Sequence, residues 1–188
     1  ARDIGKRSKI AVFSHDKNVD PVGSCVGVAG KRIHEVVKEL RGEKIDVIVW
    51  HENVVELIKS TLQPAEVKLI EIDDTENYAL VIVKDDHLSL AIGRKGQNAK
   101  LTAKLVGYKV DIKGEEEYQE ILAEKKKEAT QFLKSTNILS DEEIEEILSK
   151  VTYRLDKLSD CSAHEIENQA NIEQEKAEKI INLLNKRQ

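Results

Sequence analysis

Leu88-Ser89-Leu90-Ala91-Ile92-Gly93-Arg94-Lys95-Gly96-Gln97-Asn98-Ala99 is the stretch on which the fold turns: an apolar run, a G-x-x-G, and a polar segment that follows it. It has an earlier counterpart. Asp20 lies over Asp86 at a separation of 66 residues, and Val26-Gly27-Val28-Ala29-Gly30-Lys31-Arg32-Ile33 then falls on Ile92 to Ala99. After a slip of one residue, Leu40-Arg41-Gly42-Glu43-Lys44-Ile45-Asp46-Val47 falls on Leu105-Val106-Gly107-Tyr108-Lys109-Val110-Asp111-Ile112. Two matched blocks at nearly matched spacing mark an internal repeat, to be read as one structural unit used twice.

Local chemistry gives each copy the same elements. Ile10 to Phe13 and Leu80 to Val83 are apolar, partly β-branched runs of strand length, each followed by a polar turn. A short helix follows, with Asp20 as N-cap and Pro21 at its first position, and Asp86 as the corresponding cap before Leu88 and Ile92. The G-x-x-G interrupts the helix. A second helix carries Ile33, Val36, Val37 and Leu40 in one copy and Ala99, Leu101, Ala103 and Leu105 in the other, closed by Gly42 and Gly107. Ile45 to Val49 and Val110 to Ile112 read as strands. Between the copies, Val54, Leu57, Ile58 and Leu62 make a helix stopped by Pro64, and Val67 to Ile72 make a strand. The second copy therefore reads helix, strand, strand, helix, G-x-x-G, helix, strand.

Each G-x-x-G stands at a helix N-terminus, where unsatisfied amide donors and the positive end of the helix dipole favour phosphate. A side chain on the glycines would hold a sugar-phosphate chain away. Lys31 and Arg32 flank the first loop; Arg94, Lys95, Lys100 and Lys104 belong to the second. One isolated G-x-x-G marks an ordinary turn more often than a ligand site. Two in the same helix-loop-helix-strand context reverse that balance. A dinucleotide loop needs a third glycine and a strand feeding directly into it, and a Walker loop needs G-x-x-x-x-G-K-[ST]; neither pattern is present.

The two units resemble K-homology (KH) domains of the prokaryotic type. The strings Asp20-Pro21-Val22-Gly23-Ser24-Cys25-Val26-Gly27, Leu40 to Val47 and Leu88 to Ala99 are similar to the tandem KH region of the NusA family of bacterial transcription factors, and the likeness runs almost continuously over residues 1–113. The resemblance implies an α+β fold: two tandem type II KH domains, 1–52 and 53–113, followed by an all-helical acidic segment, 114–188. It implies single-stranded, nascent RNA as the ligand, with each loop clamping about four nucleotides. It also implies work on RNA polymerase with other elongation or antitermination factors, during pausing, termination and antitermination. Carried over by residue, the clamps are Gly27-Val28-Ala29-Gly30 and Gly93-Arg94-Lys95-Gly96, with Lys31, Arg32, Gln97 and Asn98 touching phosphate, sugar or base edges. The first unit starts near its Ile10 strand, so the helix and strand that precede that point in such domains are expected mostly upstream of Ala1. The neutral Val28 and Ala29 make the first loop the weaker electrostatic contact.

Composition fits one large or two small soluble domains. The chain has 188 residues, a net charge of −5 and no Met; opening at Ala1, it reads as part of something longer. The charge is unevenly spread: residues 1–113 carry 19 Lys+Arg against 17 Asp+Glu, and residues 114–188 carry 11 against 18. The basic clusters that attract phosphate are local and lie at the loops. No apolar run approaches the roughly 18 residues of a membrane span. Cys25 and Cys161 are distant, and the five histidines are scattered singly, so neither a disulfide framework nor a metal site is expected. No set of nucleophile, base and orienting residue suggests catalysis. The expectation is a monomeric, cytoplasmic, non-enzymatic protein without cofactor or membrane partner.

From Glu115 onward the pattern is helical, with Tyr118, Ile121, Leu122, Ala129, Phe132 and Leu133 on one face. Ser140-Asp141-Glu142-Glu143 and Ser162-Ala163-His164-Glu165 are capping boxes. The last helix carries Ala177, Ile180, Ile181 and Leu184. Near Asn171 the pairing of short helices resembles a helix-hairpin-helix, with Asn in place of the usual glycine. A small helical bundle or extension that binds a protein or merely folds is the expectation for this part, and a scaffold acting through these helices is the alternative to RNA binding. Trp50 reads as core or rim, Cys25 as packed, and His34 and His87 as surface or capping residues.

Overall fold

The structure, a computed structural model, describes residues 1–186 and separates into two compact units, Ala1–Tyr118 and Gln119–Gln188. In the first unit, β1 (Arg2–Asp3), β2 (Arg7–Val12) and β3 (Lys44–Val49) form one sheet in that order. Strands β4 (Val67–Asp73), β5 (Tyr78–Val83) and β6 (Lys109–Gly114) form another. In both sheets the first pair is antiparallel and the second parallel, with Arg7 beside Lys44 and Tyr78 beside Lys109. Arg7 and Tyr78 therefore hold the same place in the repeat. The crossovers are α1 (Pro21–Val26) and α2 (Lys31–Glu39) in the first copy, and α4 (Leu88–Ile92) and α5 (Gln97–Val106) in the second. Helix α3 (Val54–Leu62) precedes the second sheet.

The core of this unit belongs to the second copy. Alternation along β5 sends Ala79, Val81 and Val83 to one face, where Ile58 and Leu62 of α3, Ala91 of α4 and Ile112 of β6 bury against them. The first copy is thinner. Neither α1 nor α2 contributes a buried residue, and Ile10 stays 39% exposed, because no helix equivalent to α3 covers that face among the described residues. The reverse face of β2 is held instead by Lys9, 2% exposed, whose ammonium donates to the Thr61 carbonyl at the end of α3 (2.6 Å). A cation on the last carbonyls of a helix also meets the negative end of its dipole.

Glu43, 1% exposed, fixes the start of β3. Its carboxylate accepts from Arg2 Nε and Nη2 (2.8 and 2.9 Å), Ser8 Oγ (2.6 Å) and the Gly5 amide (2.9 Å). The hydrogen bonds from Arg2, then Ser8 and Gly5, bring its pKa down from 4.5 to about 2. A depressed carboxyl contributes stability above its unfolded value and loses it as pH falls through the folded one. Glu43→Gln is thus expected to lower the urea midpoint of the first unit at pH 7. The gap from the parent should narrow between pH 4.5 and about 2; a gap independent of pH would refute the ionic role.

Several expectations change on contact with the structure. The strand expected mostly upstream of Ala1 is partly present as β1, paired through Arg2 with Ser8 and Asp3 with Arg7. Asp20 caps α1 as expected, accepting from the Val22 amide at 3.0 Å, but Asp86 does not cap α4. A 3-10 turn over Asp85–His87 intervenes, and residue 87 occupies the cap position. Helix α2 turns left-handed already at Arg41 (φ 54°), one residue before Gly42. Cys25 is exposed rather than packed, on a helix none of whose residues is fully buried.

The second unit is helical. It is entered through α6 (Glu115–Ser135), followed by α7 (Asp141–Glu146), which runs on as a π turn over Ile147–Val151, and α8 (Leu155–Asp160), α9 (Ala163–Ala170) and α10 (Gln174–Asn185). Both capping boxes form: Ser140 pairs with Glu143, and Ser162 with Glu165. Asn171 takes the left-handed conformation (φ 53°) that short polar residues tolerate. The core joins Ala129, Leu133, Ile144, Ile147, Leu158, Ile166, Ile180 and Leu184. Helix α8 was not anticipated, because Leu155 and Leu158 alone make too short a periodic pattern. No helix among the described residues is long and apolar enough to cross a membrane.

Candidate nucleic-acid interface

Identical backbone paths build the two loops. Gly27 and Gly93 have φ, ψ of 75°, 173° and 73°, 172°; Ala29 and Lys95 have 49°, 31° and 52°, 32°; Gly30 and Gly96 have 74°, 13° and 70°, 15°. The first of these conformations is open essentially only to glycine. At Gly93 a Cβ would also lie 2.8 Å from Asn98 Cβ and 3.1 Å from its amide nitrogen. The loops close on themselves, Gly30 N donating to Gly27 O (3.1 Å) and Gly96 N to Gly93 O (3.0 Å). The amides of residues 28, 29, 94 and 95 take no part in these closures.

The helices that follow are prepared for an anion. Asp20, Asn53, Ser140 and Ser162 cap their helices with side chains, but α2 and α5 open on Gly30 and Gly96 with no side-chain cap and no acidic residue in the first turn. Uncapped first-turn amides at a positive dipole end suit phosphate oxygens. Among the flanking side chains, Val28 (84% exposed), Ala29, Lys31, Arg32, Arg94, Lys95, Lys100 and Lys104 lie at the surface. Lys6 and Asp3 of the β1 turn join Arg94, Lys95, Gln97 and Lys100 around the second loop, whereas Lys104 lies further along α5 and does not reach that group.

Three residues expected to touch ligand are already employed. Asn98 Nδ2 donates to the Ala91 carbonyl (2.9 Å), and Arg32 Nη1 donates to that of Ser24 (2.6 Å), each clasping the helix before its loop. Gln97 Nε2 donates to Asp3 Oδ2 (2.9 Å). That hydrogen bond is the leading reason the Asp3 carboxyl is held below its ordinary range. His87 is structural, its Nδ1 accepting from the Glu66 amide (3.0 Å), while His34 is exposed on α2. Trp50 and Phe13 form an exposed rim pair, ring centroids 5.5 Å apart.

A groove runs beside each loop. The first, about 660 Å³, lies between the Ala29–Lys31 end of α2 and the edge strand β3; the second, about 560 Å³, lies between β2 and β3 on one side and Leu90, Gly93, Arg94 and Asn98 on the other. Both fall in the range of roughly 300–1,000 Å³ typical of small-ligand sites. Sequence reading missed Arg7 and Asp46, which line both grooves. A signal existed: Asp46 and Asp111 coincide in the repeat. Among the described residues no group of three or more potential metal ligands comes together.

Comparison with known proteins matches the two copies of the repeat to two family models. Family models described as the NusA-like first and second KH domains match residues 1–50 and 54–120. The transcription termination/antitermination protein NusA of Bacillus subtilis is 50% identical over 121 residues, covering 64% of this chain and 33% of that protein. The NusA of Borreliella burgdorferi is 37% identical over 185 residues, 97% of this chain and 37% of its own length. That of Thermus thermophilus is 49% identical over 110 residues, 58% of this chain and 28% of its own. The chain thus spans about a third of the length of the curated relatives it matches. A crystal structure of APE1850 aligns over 48% of this chain and 70% of its own, at 24% identity and a TM-score of 0.40.

Proposed function

Through its tandem KH region, residues 1–120, the chain belongs to the NusA family, and from that premise we propose that it binds single-stranded RNA through the loops Gly27–Gly30 and Gly93–Gly96. The carrying observation is the duplicated loop geometry: two backbone turns of the same shape, each opening a helix whose first amides no side chain caps. Phosphate oxygens take the first-turn amides beyond Lys31 and Gln97, whose own N–H groups donate to the Val28 and Arg94 carbonyls. Lys31 adds charge at the first clamp; Arg94, Lys95, Lys100 and Lys6 add it at the second. Asn98 and Arg32 hold the loops in shape, which is a positioning role, and Gln97 touches RNA only where its bond to Asp3 yields.

The ligand is the nascent transcript, and the setting is RNA polymerase in the cytoplasm, where the protein modulates pausing, termination and antitermination without catalysing a reaction. Its relatives are named as transcription termination/antitermination proteins, which supports that reading. The acidic helical unit serves contacts with protein. Fluorescence anisotropy of a labelled, unstructured RNA of about a dozen nucleotides tests the proposal, since two clamps of about four nucleotides each fit on it. Saturable binding that weakens steeply from 50 to 200 mM salt is expected. Absence of binding by the folded chain would contradict it.

A further inference from the structure

The two grooves are not separate. Arg7 and Asp46 line both of them. Arg7 is held by two parallel hydrogen bonds, Nε to Asp46 Oδ2 and Nη2 to Asp46 Oδ1, both 2.7 Å. Asp46 is held in turn by the buried Lys9, 3.6 Å away, which is anchored on Thr61. This fork-to-fork pairing fixes the plane of the guanidinium and uses only one of its edges. Nη1, with two further N–H donors, has no partner among the described residues, and the Arg7 side chain is 38% exposed.

The repeat shows that this is not required by the fold. At the matching place in the second sheet stands Tyr78, whose hydroxyl donates to Asp111 at 3.2 Å. The carboxylate is kept in both copies; its partner is a cation only in the first, where the strand borders the other copy's loop. A neutral phenol satisfies the same carboxylate, so the fixed positive charge has a use beyond holding strands together.

We propose that Arg7 is an RNA-contact residue between the two clamps, its free Nη1 edge donating to a phosphate of the bound strand while Asp46 holds it in place. This rests on the RNA-binding reading above. Nearest-neighbour charge supports it: Lys44 lies beside Arg7 across the parallel pair, and Arg94 lies on the far wall of the second groove.

The test uses the whole chain and an unstructured dodecamer RNA. Arg7→Gln is expected to weaken binding about tenfold and to reduce the slope of log K against log salt by about 0.7, the value of one contact to a single strand. Arg7→Lys should restore the slope but not the full affinity, because an ammonium cannot be held by a fork and still present a second edge. In the parent, the Arg7 Nε–H resonance should move on saturation with RNA, a readout that does not depend on whether a variant folds. An unmoved resonance, or a folded Arg7→Gln with parental slope, would overturn the proposal while leaving the clamps intact. Failure of the parent to bind the dodecamer would overturn the RNA reading itself.

Discussion

Changing both loops to Gly-Asp-Asp-Gly, by Val28→Asp, Ala29→Asp, Arg94→Asp and Lys95→Asp, is expected to lower affinity for unstructured RNA by about 10²- to 10⁴-fold. That is the size of two lost charge-assisted contacts of about 1.5–3 kcal/mol each. The fold should not suffer. Ala29 and Lys95 occupy left-handed conformations (φ 49° and 52°), which aspartate enters more readily than most residues. Val28 is at the surface, so no packing is lost there. Acidic residues just before α2 and α5 also favour those helices through the dipole. A variant of parental melting temperature that binds RNA as before would remove the loops from the interface.

Leu62→Ala is expected to destabilise the first unit by about 2–5 kcal/mol, the usual cost of emptying a fully buried leucine site. Leu62 is wholly buried and ends α3, the helix that covers the second sheet and, through the Thr61 carbonyl, anchors Lys9 beneath the first. Loss at this point therefore weakens the floor on which Asp46 and Arg7 stand. Urea unfolding followed by amide signals of residues 1–118 checks it. A loss under about 1 kcal/mol would mean that the site collapses or that α3 is not the core of the unit.

The repeat was legible because its carriers are local. Glycine pairs, a capping Asp20-Pro21 and the matched blocks from Leu40 and Leu105 each act within a few residues, and the element order read from them is the order observed. Misreadings came where distant packing decides. Asp86 has the right chemistry for a cap but stands inside a 3-10 turn, and Cys25 lies on a helix that reads as apolar but is itself exposed. The same holds at the site. Gly27, Gly30, Gly93 and Gly96 were evident, while the engagement of Gln97 by Asp3 spans 94 residues and that of Lys9 by Thr61 spans 52. No periodicity carries such pairings, and the grouping of Arg7, Lys9 and Asp46 could be read only from the register of β2 on β3.

The most direct measurement is a titration of the ¹⁵N-labelled chain with the unstructured dodecamer, following every backbone amide. The predicted result is a set of shifted resonances centred on residues 28–32 and 94–98, with residues 119–186 unmoved. Shifts concentrated in the acidic helices, or none near the two loops at saturation, would contradict the account and make the helical unit the binding element.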